Sequence, residues 1–279
     1  MQALQLIAEW PVPTVAAAVV LPDGSTTSVG DIDHVFRLAS ISKMLTGWAA
    51  LIAVEEGIVE LDTPVGQPGC TLRHLLSHAG GYGFDDPEPF SKPERRRMYS
   101  NRGVELAAAL VAERAGMPFA TYIAEAIFQP LGMTSSVLSG SPAHQVRSTV
   151  RDLQAFAREA RSPTLLSLHG ATAFRTVQFP TLGGIIPGVG RYEPCPWGLG
   201  CEVRGTKSPH WTGTHNSPAT FGHFGGAGTF LWVDPDHDVA TIALTDRPFD
   251  EWAGDALRLW PQLSDAVLRQ LDVTTEPDG

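Results

Sequence analysis

The sequence predicts an α+β fold, in which an antiparallel sheet flanked by helices is built from both chain ends and a mainly helical domain is inserted between them. The order of the predicted elements indicates this fold, because strand-like segments are followed by a long series of helical patterns and then by strands again before a last helix. With 279 residues, the chain is long enough for one large domain or two closely packed ones. We place the sheet domain at residues 1–57 and 196–279 and the helical domain at 58–195.

Two β-hairpins are predicted, one near each end of the chain. Residues 13–20 form a short apolar run, and the Pro-Asp-Gly sequence at 22–24 is typical of a turn before a polar return strand. Near the other end, apolar runs at 229–233 and 239–245 flank the polar turn at 234–237. Pairing between these hairpins would bring the two chain ends into one sheet.

The middle of the chain is predominantly helical in its pattern. From residue 42 to 56, apolar side chains recur at intervals of three and four, and Gly57 ends the run. Further helices are predicted at 72–78, 104–115, 119–128, 149–161 and 253–271, the last kinked or split by Pro261. A stretch rich in glycine and proline at 180–200 interrupts the series, and we expect it to be a mobile rim of a pocket.

Composition and charge exclude several classes of protein. The net charge is −10, from 20 basic and 30 acidic residues, and the one basic cluster is Arg95-Arg96-Arg97, so no nucleic-acid partner is expected. No apolar run is long enough to span a membrane, and the N-terminus lacks the features of a secretory signal. The three cysteines are odd in number and have no metal-ligand spacing, so we expect reduced thiols in a cytoplasmic protein.

Ser40 and Lys43 form an S-x-x-K sequence where a loop enters the first predicted helix. Residues three apart lie on one face of a helix, so the hydroxyl and the amine can meet. A buried lysine can act as a base, because burial lowers its pKa, and the helix N-terminus can stabilise an oxyanion. The alternative is a serine that caps the helix and a lysine in solvent.

Two other short sequences contain polar groups that could complete such a site. Tyr99 and Asn101 precede the helix predicted from residue 104, where Asn101 could equally be a helix cap and Tyr99 a packing residue. His223 is followed by Phe224 and by Gly225 and Gly226, just before a predicted strand. Glycines there allow a backbone to approach a ligand, although a bulge or turn would also explain them.

In this order and spacing, the three sequences resemble the signatures of the serine penicillin-recognising superfamily, which are S-x-x-K, Y-x-N and K-T-G or H-x-G. The resemblance extends over roughly residues 15–245 and is closest to class C β-lactamases and related esterases and D-aminopeptidases. The supporting segments are 36–40, 71–81, 129–133 and 197–200. The resemblance implies the β-lactamase/transpeptidase-like fold, a single catalytic unit and an active site between its two parts.

The resemblance also implies a role for each matched residue. Ser40 would form an acyl-enzyme, and Lys43 and Tyr99 would share its proton and pass one to the leaving group. Asn101 would orient Lys43 or a substrate amide. The N–H groups of Ser40 and Gly226 would form the oxyanion hole, with Gly225 as the adjacent possibility. His223 stands where many relatives have lysine. We expect its imidazole to be uncharged near neutral pH, which would weaken binding of the carboxylate of β-lactams, and to gain a proton in acid, which would reduce this effect.

The interpretation favoured by the sequence is an esterase-like serine hydrolase that acts on a small ester or amide without a cofactor. β-Lactamase and D-amino-peptidase or amidase activities are the alternatives, and a non-catalytic penicillin-binding sensor is the alternative outside enzymes. A metal site is not expected: His74 and His78 have a spacing that can bind zinc, but no third ligand stands out nearby, and His210 and His215 make the same weak case. The sequence predicts neither the oligomeric state nor the natural substrate.

Overall fold

The computed structural model describes residues 1–275, with side-chain surroundings as far as Leu271. The helices are α1 (Ser42–Glu55), α2 (Leu72–Leu76), α3 (Asn101–Ala115), α4 (Phe119–Ile123), α5 (Val150–Arg161), α6 (Leu168–Arg175) and α7 (Ala253–Thr275). The strands are β1 (Val15–Val20), β2 (Thr26–Val29), β3 (Phe36–Arg37), β4 (Val137–Leu138), β5 (Val146–Ser148), β6 (Gly184–Ile186), β7 (Gly190–Tyr192), β8 (Glu202–Val203), β9 (Phe221–Gly225), β10 (Thr229–Asp234) and β11 (Val239–Thr245). None of the described helices is long and apolar enough to cross a membrane.

A six-stranded antiparallel sheet contains strands from both chain ends, in the order β2-β1-β11-β10-β9-β8. The predicted α+β fold and both predicted hairpins are therefore confirmed. The pairing of β1 with β11 joins the two ends, with Val15 opposite Thr245. The division into domains at residues 57 and 195 stays a prediction.

The sheet is buried on both faces, which explains why its inner strands are almost entirely apolar. Along β1, Ala16 and Ala18 pack into the core beneath α1 and α5, whereas Ala17 and Val19 pack into a second core with α7. Successive side chains of a strand point to opposite faces, so one short run supplies both cores. Trp260 of α7 lies at the centre of an aromatic cluster in the second core.

Several elements differ from the sequence-based expectations. The helix α7 runs through Pro261 without being split, and the predicted helix at 119–128 is α4 followed by a π-helical turn at Ala124–Phe128. A 3-10 helix at Gln2–Glu9 and the helix α6 were not predicted. The segment 180–200 contains the hairpin of β6 and β7. Cys70, Cys195 and Cys201 are buried free thiols.

Two close approaches place α1 against the rest of the molecule. A Cβ added to Gly47 would lie 2.2 Å from the carbonyl oxygen of Leu199, so only glycine lets the helix meet the loop at 197–200. A three-stranded sheet, β3-β5-β4, contacts the start of α1, because the Val146 N–H donates a hydrogen bond to Ser42 Oγ at 3.1 Å, and it pairs Arg37 with Arg147. These contacts fix the N-terminus of α1 between the sheet and the helical region.

Candidate active site

Ser40 lies in a single 3-10 turn, Ala39–Ile41, that leads directly into α1. The preceding residue, Ala39, has φ 47°, a left-handed conformation that costs a non-glycine residue about 1–3 kcal/mol. Strained backbone of this kind persists where surrounding structure imposes it, and here it presents the half-buried Ser40 to a cleft. The position at a loop–helix junction agrees with the sequence-based expectation.

Lys43 is almost completely buried, at 1% exposure, one turn along α1 from Ser40. Its Nζ lies 3.3 Å from Ser40 Oγ, 2.6 Å from Asn101 Oδ1 and 3.0 Å from the carbonyl oxygen of Ala143. Burial lowers its pKa from 10.5 to about 7. A neutral amine has two N–H groups, and these can donate hydrogen bonds to Asn101 Oδ1 and to the carbonyl oxygen of Ala143. The lone pair of the amine is then left to accept from the Ser40 hydroxyl.

The sequence had predicted that Asn101 precedes the helix. In the structure it lies on the first turn of α3. The cap is Ser100, whose Oγ accepts a hydrogen bond from the Gly103 N–H at 2.8 Å, so Asn101 is not the cap. The buried Asn101 amide accepts from Lys43 and donates through Nδ2 to Asp85 Oδ1 at 2.9 Å. The Asp85 carboxylate thereby fixes the orientation of the amide and its oxygen.

Tyr99 brings a hydroxyl group to the other side of Ser40. The hydroxyl is hydrogen-bonded to Ser40 and lies 3.5 Å from His223 Nε2, and Lys43 Nζ is 4.7 Å from the centre of the ring. Burial raises the pKa of the Tyr99 phenol well above its ordinary value. The phenol is therefore neutral, with a proton to donate.

His223 precedes the predicted strand at 229–233, which is β10, and it lies within β9, a strand that the sequence had not predicted. Its Nδ1 is 2.5 Å from the carbonyl oxygen of Phe224, so Nδ1 carries the proton and Nε2 faces Tyr99 as an acceptor. Burial, followed by the nearby Lys43, lowers the pKa of His223 to about 3. The expectation that this imidazole gains a proton in mild acid is therefore wrong.

Gly225 and Gly226 have different surroundings. A Cβ at Gly225 would lie 2.4 Å from the carbonyl oxygen of Leu38, so this glycine allows β9 to pass close to the turn that contains Ser40. A Cβ at Gly226 would meet nothing within 4 Å, and the residue borders the cleft on both sides of Ser40. Of the two, Gly226 is the one that lines the cleft beside Ser40.

The cleft consists of two cavities that share Ser40, Phe84 and Gly226. The first, which we call the apolar arm, has a volume of about 390 Å³ and is lined by Tyr99 and His223 and by the apolar side chains of Ile186, Trp197, Phe224 and Phe249. The second, which we call the basic arm, has a volume of about 520 Å³ and is lined by Asn101 and by His34, Arg37, His144 and Arg147, with the carboxylates Asp85 and Asp246. Ser40 lies where the two arms meet.

A buried charged network beneath the apolar arm was not foreseen from the sequence. Glu202 Oε1 lies 2.7 Å from both Lys207 Nζ and His210 Nε2, and Oε2 accepts a hydrogen bond from Trp211 Nε1 at 2.7 Å. Lys207 holds the pKa of Glu202 well below its ordinary value against the cost of burial. Polar residues in a loop ordinarily face solvent, so no sequence signal distinguished these.

The histidine pairs considered as metal ligands are held by other contacts. His74 Nδ1 completes a capping box with Thr71, and its Nε2 lies 3.0 Å from Glu94 Oε1. His78 Nδ1 accepts the Ser100 N–H at 3.2 Å, and His215 Nδ1 lies 3.2 Å from Asp265 Oδ1. Within residues 1–275, no group of three or more histidine, cysteine and acidic side chains could hold a metal ion.

Comparisons with known proteins agree with this fold. A β-lactamase from Mycobacterium bovis, whose crystal structure is known, is 47% identical in sequence to this chain. The two structures match with a TM-score of 0.93 over 96% of this chain and 99% of that one. A hydrolase with promiscuous acyltransferase activity, EstCE1, shares the fold at 17% identity, with a TM-score of 0.76 over 95% and 96% of the two chains.

Curated relatives match over shorter stretches. Penicillin-binding protein 4* of Bacillus subtilis (strain 168) is 29% identical over 137 residues, which is 37% of this chain and 30% of that protein. The alignments with curated relatives span between 30% and 59% of those proteins' own lengths. The sequence profile of the Beta-lactamase family matches residues 11–263, which is most of the chain. The chain is therefore a member of the β-lactamase family.

Proposed function

We propose that the protein is a serine hydrolase that cleaves small carboxylic esters through an acyl-enzyme on Ser40. The observation that carries the proposal is the contact of the Ser40 hydroxyl with a buried amine whose pKa is about 7. Such an amine is neutral in a large fraction of molecules near neutral pH, when it can accept a proton from the serine. A lysine in solvent would stay protonated.

In the acylation step, Ser40 Oγ attacks the carbonyl carbon of the ester while its proton moves to Lys43 Nζ. The backbone N–H groups of Ser40 and Gly226 hold the oxyanion that forms, because both border the point where the arms meet. Tyr99 then donates its proton to the oxygen of the leaving group and regains one from Lys43. Asn101 and the Ala143 carbonyl keep the amine in place throughout.

In the deacylation step, water attacks the Ser40 ester and loses its proton to the same pair of groups. The bond from Ser40 Oγ to the acyl carbon breaks, and the serine regains its hydrogen. The free carboxylic acid leaves. No cofactor enters this sequence of steps.

Esters are preferred over β-lactams in this proposal because no fixed cation lines the apolar arm beside His223. The neutral imidazole turns an acceptor, Nε2, toward the site, and an acceptor repels a carboxylate. β-Lactam hydrolysis is the second candidate, and the 47% identity to the β-lactamase from Mycobacterium bovis favours it.

One preparation of the enzyme tests both candidates. Wild type should hydrolyse p-nitrophenyl butyrate with a larger kcat/KM than nitrocefin or D-alanyl p-nitroanilide. Ser40→Ala should abolish hydrolysis and labelling by a fluorophosphonate, whereas Ser139→Ala, at an exposed serine away from the cleft, should keep both. Labelling that persists in Ser40→Ala would refute the assignment, and a nitrocefin rate above the ester rate would make β-lactamase the function.

A further inference from the structure

The two arms of the cleft differ in their lining, because Arg37 and Arg147 line the basic arm and no lysine or arginine lines the apolar arm. They lie directly opposite each other on the paired strands β3 and β5. Like charges at directly opposed positions of an antiparallel pair destabilise it. Both residues are exposed, and within the described part of the chain neither guanidinium makes a hydrogen bond or ion pair. Two cations side by side without an ion-pair partner are unexpected in a chain of net charge −10.

The basic arm also contains the carboxylates Asp85 and Asp246, but neither forms an ion pair with Arg37 or Arg147. Asp85 already accepts from the Asn101 amide, and Asp246 Oδ1 accepts from the Thr14 N–H at 3.0 Å. Burial and the charge of Lys43 lower the pKa of His144, which disfavours the protonated form of this imidazole. The two guanidinium groups are thus the fixed cations of the arm.

The placement of the proton donor assigns the two arms to the two halves of an ester. Tyr99, which protonates the leaving group, lines the apolar arm and not the basic arm. The leaving group therefore lies among Trp197, Phe224 and Phe249, and the acyl group extends from Ser40 past Asn101 into the basic arm. A guanidinium pair recognises carboxylates well, because its N–H groups are planar and fixed in direction.

We propose that the acyl group of the preferred substrate ends in a carboxylate, which Arg37 and Arg147 bind. This inference rests on the proposed ester hydrolysis and specifies its substrate class: esters of an apolar alcohol or phenol with one carboxyl group of a dicarboxylic acid. Ser40 Oγ forms the bond to the acyl carbon, the bond to the phenol oxygen breaks, and water later releases the free diacid. The arginines take no part in the bond changes and contact the far end of the acyl chain.

Matched pairs of chromogenic esters test this proposal. Mono-p-nitrophenyl adipate is compared with p-nitrophenyl hexanoate, and the suberate monoester with the octanoate, so that each pair differs only in the terminal carboxylate. Rates without enzyme are subtracted. At low salt, wild type should prefer the anionic ester by about ten-fold in kcat/KM, the size of one charge-assisted hydrogen bond. The preference should decrease at an ionic strength of about 1 M, where the Debye length is about 3 Å and exposed charges are screened.

The arginine variants assign the preference to these residues. Arg37→Gln with Arg147→Gln should reduce the ratio of kcat/KM for anionic over neutral esters to about two or less, with single variants in between. Arg258→Gln removes one positive charge from an exposed position on α7 and should leave the ratio unchanged. If neither neutral ester is hydrolysed, the proposed function is wrong. If neutral esters are hydrolysed without a preference for the anionic partner, or the preference survives in the double variant, the carboxylate site is wrong.

Discussion

Replacing Lys43 by methionine should change how the stability of the protein depends on pH. In the folded protein the pKa of Lys43 is about 7, against an ordinary value of 10.5. Between these two pH values, the unfolded chain holds a proton at this position that the folded chain lacks. Raising the pH therefore stabilises wild type through this group, and the contribution is absent in Lys43→Met.

The structure gives the size of this effect. The pKa difference of about 3.5 units corresponds to about 5 kcal/mol of destabilisation well below pH 7, at about 1.4 kcal/mol for each unit. Between pH 6 and pH 9, about two of these units are recovered, so the free energy of unfolding of wild type should rise by about 2–3 kcal/mol relative to Lys43→Met. The loss of the amine's hydrogen bonds changes the free energy of unfolding of Lys43→Met by a similar amount at both pH values, so this change cancels in the comparison.

The assay is urea unfolding of wild type and Lys43→Met, with the difference in unfolding free energy taken at pH 6 and at pH 9. Other titrating groups are common to both chains, so the change in this difference reports mainly the titration of Lys43. A difference that is equal at the two pH values would refute the argument, because it would mean that the folded pKa of Lys43 is close to that in the unfolded chain. The proposed role of Lys43 as a neutral base would then fail with it.

The remaining predictions concern catalysis, specificity, stability and motion. The kcat/KM for a neutral ester should rise with pH through about 7 as Lys43 loses its proton. Lys43→Arg should lower this kcat/KM about 100- to 10,000-fold, because the guanidinium cannot lose its proton. Near-normal turnover in this variant would mean that another residue is the base. His223→Lys should raise nitrocefin turnover relative to ester turnover by about ten-fold, and the wild-type ratio should be the same at pH 5.5 and pH 8, since the pKa of His223 is about 3; a ratio that changes with pH would contradict this. Lys207→Met should lower the free energy of unfolding by about 3 kcal/mol or more, measured in urea, because it leaves the buried carboxylate of Glu202 without its cation; a loss below about 1 kcal/mol would contradict it. Limited proteolysis should cut first within residues 180–200 and more slowly after an inhibitor occupies the serine, since Ile186 and Pro187 border the cleft; first cleavage elsewhere would count against a mobile rim.

The parts of the fold that the sequence predicts well are those specified locally. The hairpin of β1 and β2 follows from an apolar run and a turn, and α1 follows from a spacing of three and four. Lys43 Nζ lies 3.3 Å from Ser40 Oγ, and a spacing of three residues is enough to anticipate that these two groups lie on one face. In each case the information lies within about twenty residues.

The parts that the sequence does not predict depend on contacts between distant segments. The carbonyl oxygen of Ala143, one of the acceptors that hold Lys43, is 100 positions away and belongs to the backbone, so no residue type marks it. Asp85 is one of several acidic residues in its loop, and only the fold selects it as the partner of Asn101. The hairpin of β6 and β7 lies in a segment whose glycines and prolines indicate a loop.

Burial by distant segments also determines the charges of the site, and this has a consequence for recognition. The same cause, desolvation, lowers the pKa of Lys43 to about 7, lowers that of His223 to about 3 and raises that of Tyr99. Above neutral pH, these three groups therefore carry little charge, and backbone N–H groups are left to stabilise the oxyanion. A substrate carboxylate then has no fixed cation to meet at the reacting centre. Under the proposed function, recognition of an anion has to occur at a distance from the serine, where Arg37 and Arg147 remain exposed and charged.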